Sequence, residues 1–184
     1  MKAALLLAFW SGLTCIAAAD PCVSGLPAGE KPGPYSSVIC TGAQRGQSFC
    51  YICDNADRPA VVIFARSLSD PLGKLVGQLD KAVQANQAAK LNAWVTFLDK
   101  DQASLDPKVV GWGKKHAIGS VPLGVFEDEV GPPSYRLAAD ADVTVILFVH
   151  KKVVANFAFR TNELTDARMA EVMSALPKIL PPKK

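Results

Sequence analysis

Pro59-Ala60-Val61-Val62-Ile63-Phe64-Ala65-Arg66-Ser67-Leu68-Ser69-Asp70-Pro71-Leu72 is the stretch on which the reading of this 184-residue chain turns. Six apolar residues after a proline, rich in β-branched and aromatic side chains, form the pattern of a short strand buried on both faces. Asp70 followed by Pro71 has the chemistry of a helix start, since a capping oxygen can accept a free first-turn N–H and proline has none to satisfy. Leu72, Leu75, Val76, Leu79, Ala82 and Val83 fall on one face at helical spacing. That helix is predicted to lie flat on a sheet.

Downstream, Leu91 to Leu98 alternates around Ala93, Val95 and Phe97, with Trp94 and Leu98 making the second face apolar as well, which predicts another buried strand. Asp106-Pro107 repeats the cap-and-proline signature and predicts a helix through Val109, Val110 and Trp112, ended by Gly119. Val121 to Phe126 reads as a third strand, and Ser134 to Ala139 as one helical turn. Val143 to Val149 and Val153 to Phe159 are the clearest strands, joined by His150-Lys151-Lys152 at hairpin length. Thr165 caps a last helix through Met169, Val172, Met173 and Leu176, with Pro177 at its end. The order strand, helix, strand, helix, strand, hairpin, helix predicts an α/β fold: a parallel sheet core, an antiparallel hairpin at its end, and helices on both faces.

Residues 1–19 carry Lys2, an apolar run from Ala3 to Trp10 and Ala17-Ala18-Ala19 before Asp20, the layout of a signal peptide cleaved after Ala19. The rival, a membrane anchor, would need about 20 apolar residues, and Ser11, Gly12 and Thr14 interrupt the run. The expected location is therefore secreted or periplasmic, with no membrane span after processing. Residues 20–58 form a lead-in rich in Gly and Pro, residues 59–180 the main domain, and residues 181–184 a tail. The mature chain is close to neutral with charges interspersed, which argues against a nucleic-acid groove.

Cys22, Cys40, Cys50 and Cys53 remain after processing, all ahead of the main domain. In an oxidising compartment all four are candidates for structural disulfides, and their pairing is open among three connectivities. Cys50-Tyr51-Ile52-Cys53 is the one reactive-looking motif, since thiols at this spacing can close and open a small ring, helped by positive charge such as Arg45 or Arg58. Four thiolates could also hold a metal, but the second C-x-x-C of a zinc ribbon is absent, and no metal is expected. Asp54 stands where c-type haem attachment needs histidine, and no cofactor is expected. His116 and His150 are isolated, Arg66 is a strand-end arginine or an anion holder, and Trp94 and Trp112 read as core.

On the element order, Val61-Val62-Ile63-Phe64-Ala65 and Val143-Thr144-Val145-Ile146-Leu147-Phe148-Val149 followed by Lys152-Val153-Val154-Ala155, the chain from about Pro59 to Leu180 resembles the thioredoxin-like superfamily. The strand and turn before the hairpin look most like its peroxiredoxin and thiol-disulfide branch. The whole chain is also similar to secreted bacterial proteins of planctomycete type. The resemblance implies a thioredoxin-like three-layer fold and places the family's two reactive thiols at Ser69 and Leu72, neither of which can exchange disulfides. Its cis-proline position falls at Val143, with Pro122 a second candidate. Two functions follow as expectations: a non-catalytic binding or structural protein with a degenerate redox loop, whose protein partner is unknown, or a thiol-disulfide oxidoreductase working through Cys50 and Cys53.

Overall fold

The computed structural model describes residues 20–182; the expected signal segment and the final two lysines lie outside them. In chain order its strands are β1 (Ser37–Ile39), β2 (Ser48–Phe49), β3 (Ala60–Ala65), β4 (Asn92–Leu98), β5 (Leu123–Phe126), β6 (Val143–Val149) and β7 (Lys152–Phe159). The α-helices are α1 (Tyr51–Asn55), α2 (Asp70–Ala85), α3 (Gln102–Lys115) and α4 (Asp166–Ala175). The strands form one mixed sheet in the order β2-β1-β5-β4-β3-β6-β7.

β3 lies inside the sheet between β4 and β6, and none of its residues is more than 1% exposed. It pairs in parallel with β4 from Ala60↔Asn92 to Ala65↔Phe97, and antiparallel with β6 from Ala60↔Phe148 to Ala65↔Val143. The predicted hairpin is present: β6 and β7 pair antiparallel, from Val143↔Phe159 to Val149↔Lys152. Its turn is only His150-Lys151, both with positive φ of 52° and 56°, as a two-residue turn matched to strand twist requires. Lys152 opens β7, and a bulge between Leu147 and Phe148 shifts the register.

Helices lie on both faces, unequally. Val61, Ile63, Val95, Phe97, Val145 and Leu147 share one core with α2, α3 and α4. β3, β4 and β5 advance across the sheet in one direction, so right-handed crossovers put α2 and α3 on the same side. On the other face Val62, Phe64, Trp94, Ile146 and Phe148 are covered by Leu26 and Tyr35 of the lead-in, by Tyr51 and Ile52 of α1, and by the 3-10 turn Pro133–Tyr135. That turn is shorter than the Ser134 to Ala139 segment predicted.

The lead-in, read as loop-rich, also supplies two strands. β1 pairs antiparallel with β5 and β2 with β1, so β5 is not left as an edge. Strands of three and two residues are too short to show a period of two. Polar contacts hold the rest of the segment down: Gly29 N–H donates to Val153 O at 2.8 Å and Val153 N–H to Glu30 O at 2.8 Å. Trp94 Nε1 donates to the Tyr35 hydroxyl at 2.9 Å, which is bonded in turn to Thr96 Oγ1 at 2.8 Å.

Three helix boundaries differ from those predicted. Ser69 caps α2, its Oγ accepting from Leu72 N–H at 3.4 Å, while Asp70 and Pro71 are already helical. α3 starts at Gln102 under an Asp101 cap, so Pro107 sits inside it and Asp106 instead pairs with Arg45 at 3.1 Å. Burial of Val109 and Trp112 holds the helix past its proline. α3 ends at Lys115 and β5 begins at Leu123, because the segment between them is tied to Asp80. The 4%-exposed Asp80 accepts from Gly119, Ser120 and Val121 N–H at 3.0, 2.6 and 2.9 Å through one oxygen, Oδ1.

Removing that carboxylate leaves several backbone donors unpaired. Asp80→Ala is expected to lower stability by about 2–4 kcal/mol, read as a fall in the urea midpoint at unchanged slope. A midpoint within error of the parent would show that the loop does not depend on Asp80.

Candidate functional site

The Cys50–Cys53 disulfide and the first turn of α2 lie at opposite ends of β3. β3 runs from Ala60, opposite Phe148 near the hairpin turn, to Ala65, opposite Val143. Ser69 follows the second end. Cys53 shares a recess with Phe148 and Lys151 at the first end. The six residues of β3 span about 20 Å.

At the Ser69 end neither position of the loop carries a thiol. Ser69 Oγ serves as the helix cap and Leu72 is fully buried in the core. Trp112 Nε1 donates to Ser69 O at 3.2 Å. Lys115 Nζ lies 2.6 Å from Asp70 Oδ1 and holds that carboxyl below the usual carboxylate range. His116 Nε2 stands 3.3 Å from the same oxygen, near enough to pair when protonated, though without hydrogen-bond alignment. Ser67 Oγ donates to Asp142 Oδ2 at 2.8 Å, and Arg66 N–H to Asp142 O at 2.9 Å. The residues facing the loop are thus Asp142 and Val143. Pro122 lies on the far side of β4, accepting from Val95 N–H at 3.0 Å.

Arg66 is turned onto backbone carbonyls. Its guanidinium donates to the carbonyls of Ala141 at 3.0 Å, Ala138 at 3.2 Å, and Glu129. It works as a clamp on the segment between β5 and β6.

At the other end Cys50 and Cys53 are joined in a disulfide with Cα atoms 5.3 Å apart. Cys50 follows β2 in extended conformation and caps α1, its Sγ accepting the Cys53 N–H at 3.2 Å. Cys50 is half-buried and Cys53 exposed. α1 has only five residues, too few to stand alone, so its neighbours fix it. Tyr51 stacks on Trp94 with ring centroids 5.4 Å apart, and Phe49 meets Tyr51 edge-on at 4.8 Å. Burial pushes the Tyr51 hydroxyl up to about 12. The fully buried Asn55 donates to Arg58 O at 2.7 Å and accepts from Asn92 Nδ2 at 2.8 Å.

The arginines expected to assist the thiols are engaged elsewhere. Arg58 pairs with Asp54 at 2.7 Å, and Arg45 with Asp106 at 3.1 Å. The cations lining the recess with Cys53 are Lys31 and Lys151. Nothing in the sequence joins them, because one lies in the lead-in and the other in the hairpin turn.

Cys22 and Cys40 are free thiols, and Cys50–Cys53 is the disulfide among the described residues. Cys40 follows β1, while Cys22 lines a recess beside Asn156 to Ala158 of β7. Five strand spacings, about 24 Å, separate β1 from β7, far beyond disulfide reach. Burial, with Asp106 alongside, pushes the Cys40 thiol up to about 12; burial and then Asp140 raise Cys22 as well. Among the described residues no group of three or more His, Cys, Asp or Glu is gathered as a metal site. No helix among them is long and apolar enough to cross a membrane.

No family model matches the sequence, and no curated protein matches it significantly. Solved structures do. A candidate protein disulfide isomerase from Bacteroides thetaiotaomicron is 15% identical, with 85% of this chain and 92% of that one covered at a TM-score of 0.63. A candidate thiol:disulfide interchange protein DsbE from Chlorobium tepidum is 15% identical, covering 82% and 99% at 0.59. The peroxidoxin BcpB from Mycobacterium tuberculosis is 12% identical, covering 84% and 98% at 0.57. The fold is thioredoxin-like, as the element order implied.

Two outcomes follow from this geometry. Ser69→Ala is expected to lower stability by about 1 kcal/mol through the lost cap, with the reactivity of Cys50 and Cys53 unchanged; any change in that reactivity would give Ser69 a role the geometry does not. Iodoacetamide at mildly alkaline pH is expected to label Cys22 first and to reach Cys40 only after unfolding, read by peptide mass mapping. Equal labelling in the native state would contradict the burial of Cys40.

Proposed function

We propose that this chain is an extracytoplasmic protein of thioredoxin-like fold whose loop at Ser69 and Leu72 is degenerate, leaving Cys50–Cys53 as its place of thiol-disulfide exchange. The carrying observation is an accessible disulfide, with Cys53 exposed, at the end of β3 remote from Ser69. Exchange needs a thiolate to reach sulfur, and hydroxyl and isobutyl groups cannot replace it. The solved structures described as a disulfide isomerase and an interchange protein support thiol chemistry on such a scaffold, while their low identity carries only the fold.

Turnover is expected to be slow. Neither Arg45 nor Arg58 is free to stabilise a thiolate at the pair. A second reading, the non-catalytic binding or structural role, is favoured by a cleft of about 450 Å³ beside Ser69, bordered by Lys74, Asp142 and the start of α4. The two readings separate on one property, whether the disulfide cycles.

The test is reduction of insulin and oxidation of dithiothreitol by purified protein. Slow turnover abolished in Cys50→Ala and in Cys53→Ala, and retained in Ser69→Ala, is the expected result. A disulfide that survives excess dithiol at neutral pH would overturn exchange and leave the binding reading.

A further inference from the structure

The Cys50–Cys53 disulfide is asymmetric in three respects. Cys53 is exposed and Cys50 half-buried. The Cys53 N–H is already aimed at Cys50 Sγ, at 3.2 Å, and would favour the charged form of that sulfur. Only Cys53 lines the adjoining recess of about 160 Å³, whose walls are Pro32, Pro34, Ile52 and Phe148 and whose cations are Lys31 and Lys151.

Three separate segments build that recess. The lead-in brings Lys31 to the hairpin because Gly29 and Glu30 pair with Val153. The tight His150-Lys151 turn presents Lys151, and α1 brings Cys53. Among the described residues no carboxylate lines the space; the nearby Asp54 and Glu30 are paired with Arg58 and Arg136, and Asp57 borders the turn, its carbonyl accepting from His150 N–H at 3.2 Å. Lys31 and Lys151 are exposed and make no ion pair there.

We infer that the exchange partner is a small thiol bearing a carboxylate, that it attacks Cys53, and that Cys50 is the leaving sulfur. This rests on the exchange reading above and gives it a direction and a substrate class. The incoming thiolate forms a bond to Cys53 Sγ as the Cys50–Cys53 bond breaks, and Cys50 departs as a thiolate accepting the Cys53 N–H. A second thiolate of the same class attacks the substrate sulfur of the mixed disulfide, forming the substrate disulfide and releasing Cys53. Two thiols are oxidised and one protein disulfide is reduced to two thiols, with the protons of the two substrate thiols taken up by Cys50, Cys53 or water. The lysines hold the carboxylate while the apolar walls take the short carbon chain.

The experiment uses full-length oxidised protein and three thiols of similar size: 3-mercaptopropionate, 2-mercaptoethanol and cysteamine, compared per unit of thiolate. Acid quenching, alkylation and peptide mapping locate the mixed disulfide. The expected result is adduct on Cys53 with Cys50 alkylated, and a rate order of anionic, neutral, cationic. Lys31→Ala and Lys151→Ala are each expected to reduce the preference for 3-mercaptopropionate about two- to fivefold, as does added salt, the size expected of an exposed charge pair. Adduct on Cys50, or a preference unmoved by both lysine variants, overturns this inference while exchange itself stands. A disulfide inert to all three thiols overturns the exchange reading and the inference with it.

Discussion

Burial of β3 on both faces is the constraint from which the rest of the arrangement follows. A strand whose side chains all leave water needs an apolar layer above and below it, and each layer must come from some other part of the chain. The parallel crossovers through α2 and α3 can cover only one face, because both turn the same way. The opposite face, with Phe64, Trp94 and Phe148, must be closed by other segments. The lead-in does this with Leu26 and Tyr35, and α1 with Tyr51 and Ile52.

That duty places the sulfur. α1 is too short to persist alone, and stacking of Tyr51 on Trp94 together with the Asn55 to Asn92 bond fixes it at the starting end of β3. The disulfide is carried there with it. At the far end the first turn of α2 spends its side chains on folding: Ser69 as cap, Leu72 as core, Asp70 in a pair with Lys115. One strand thus separates the disulfide from the loop at Ser69.

Charged groups elsewhere serve the same closure. Asp80 gathers three consecutive N–H groups of the approach to β5, and Arg66 gathers carbonyls of the segment that leaves it. Both stretches lack regular partners, so their backbone groups need side chains instead. Arg45 and Arg58 are likewise committed to Asp106 and Asp54, which is why they offer the disulfide no spare charge.

The sequence by itself determined the order of the main-domain strands and helices, the hairpin and the absence of sulfur at Ser69 and Leu72, since these depend on local periodicity and on residue identity. Hydrophobic runs of six to eight residues, such as those at Val61 and Val143, carry enough period to be read alone. Helix starts are less legible, because Asp70 and Asp106 beside prolines mimic caps that Ser69 and Asp101 provide. Only the tertiary structure decided that β1 and β2 join the sheet, that Cys22 and Cys40 stay apart, and that Lys31 meets Lys151 beside Cys53. The physical reason is distance along the chain: those relations join segments far apart in sequence, and packing on a shared core, with no local pattern of its own, brings them together.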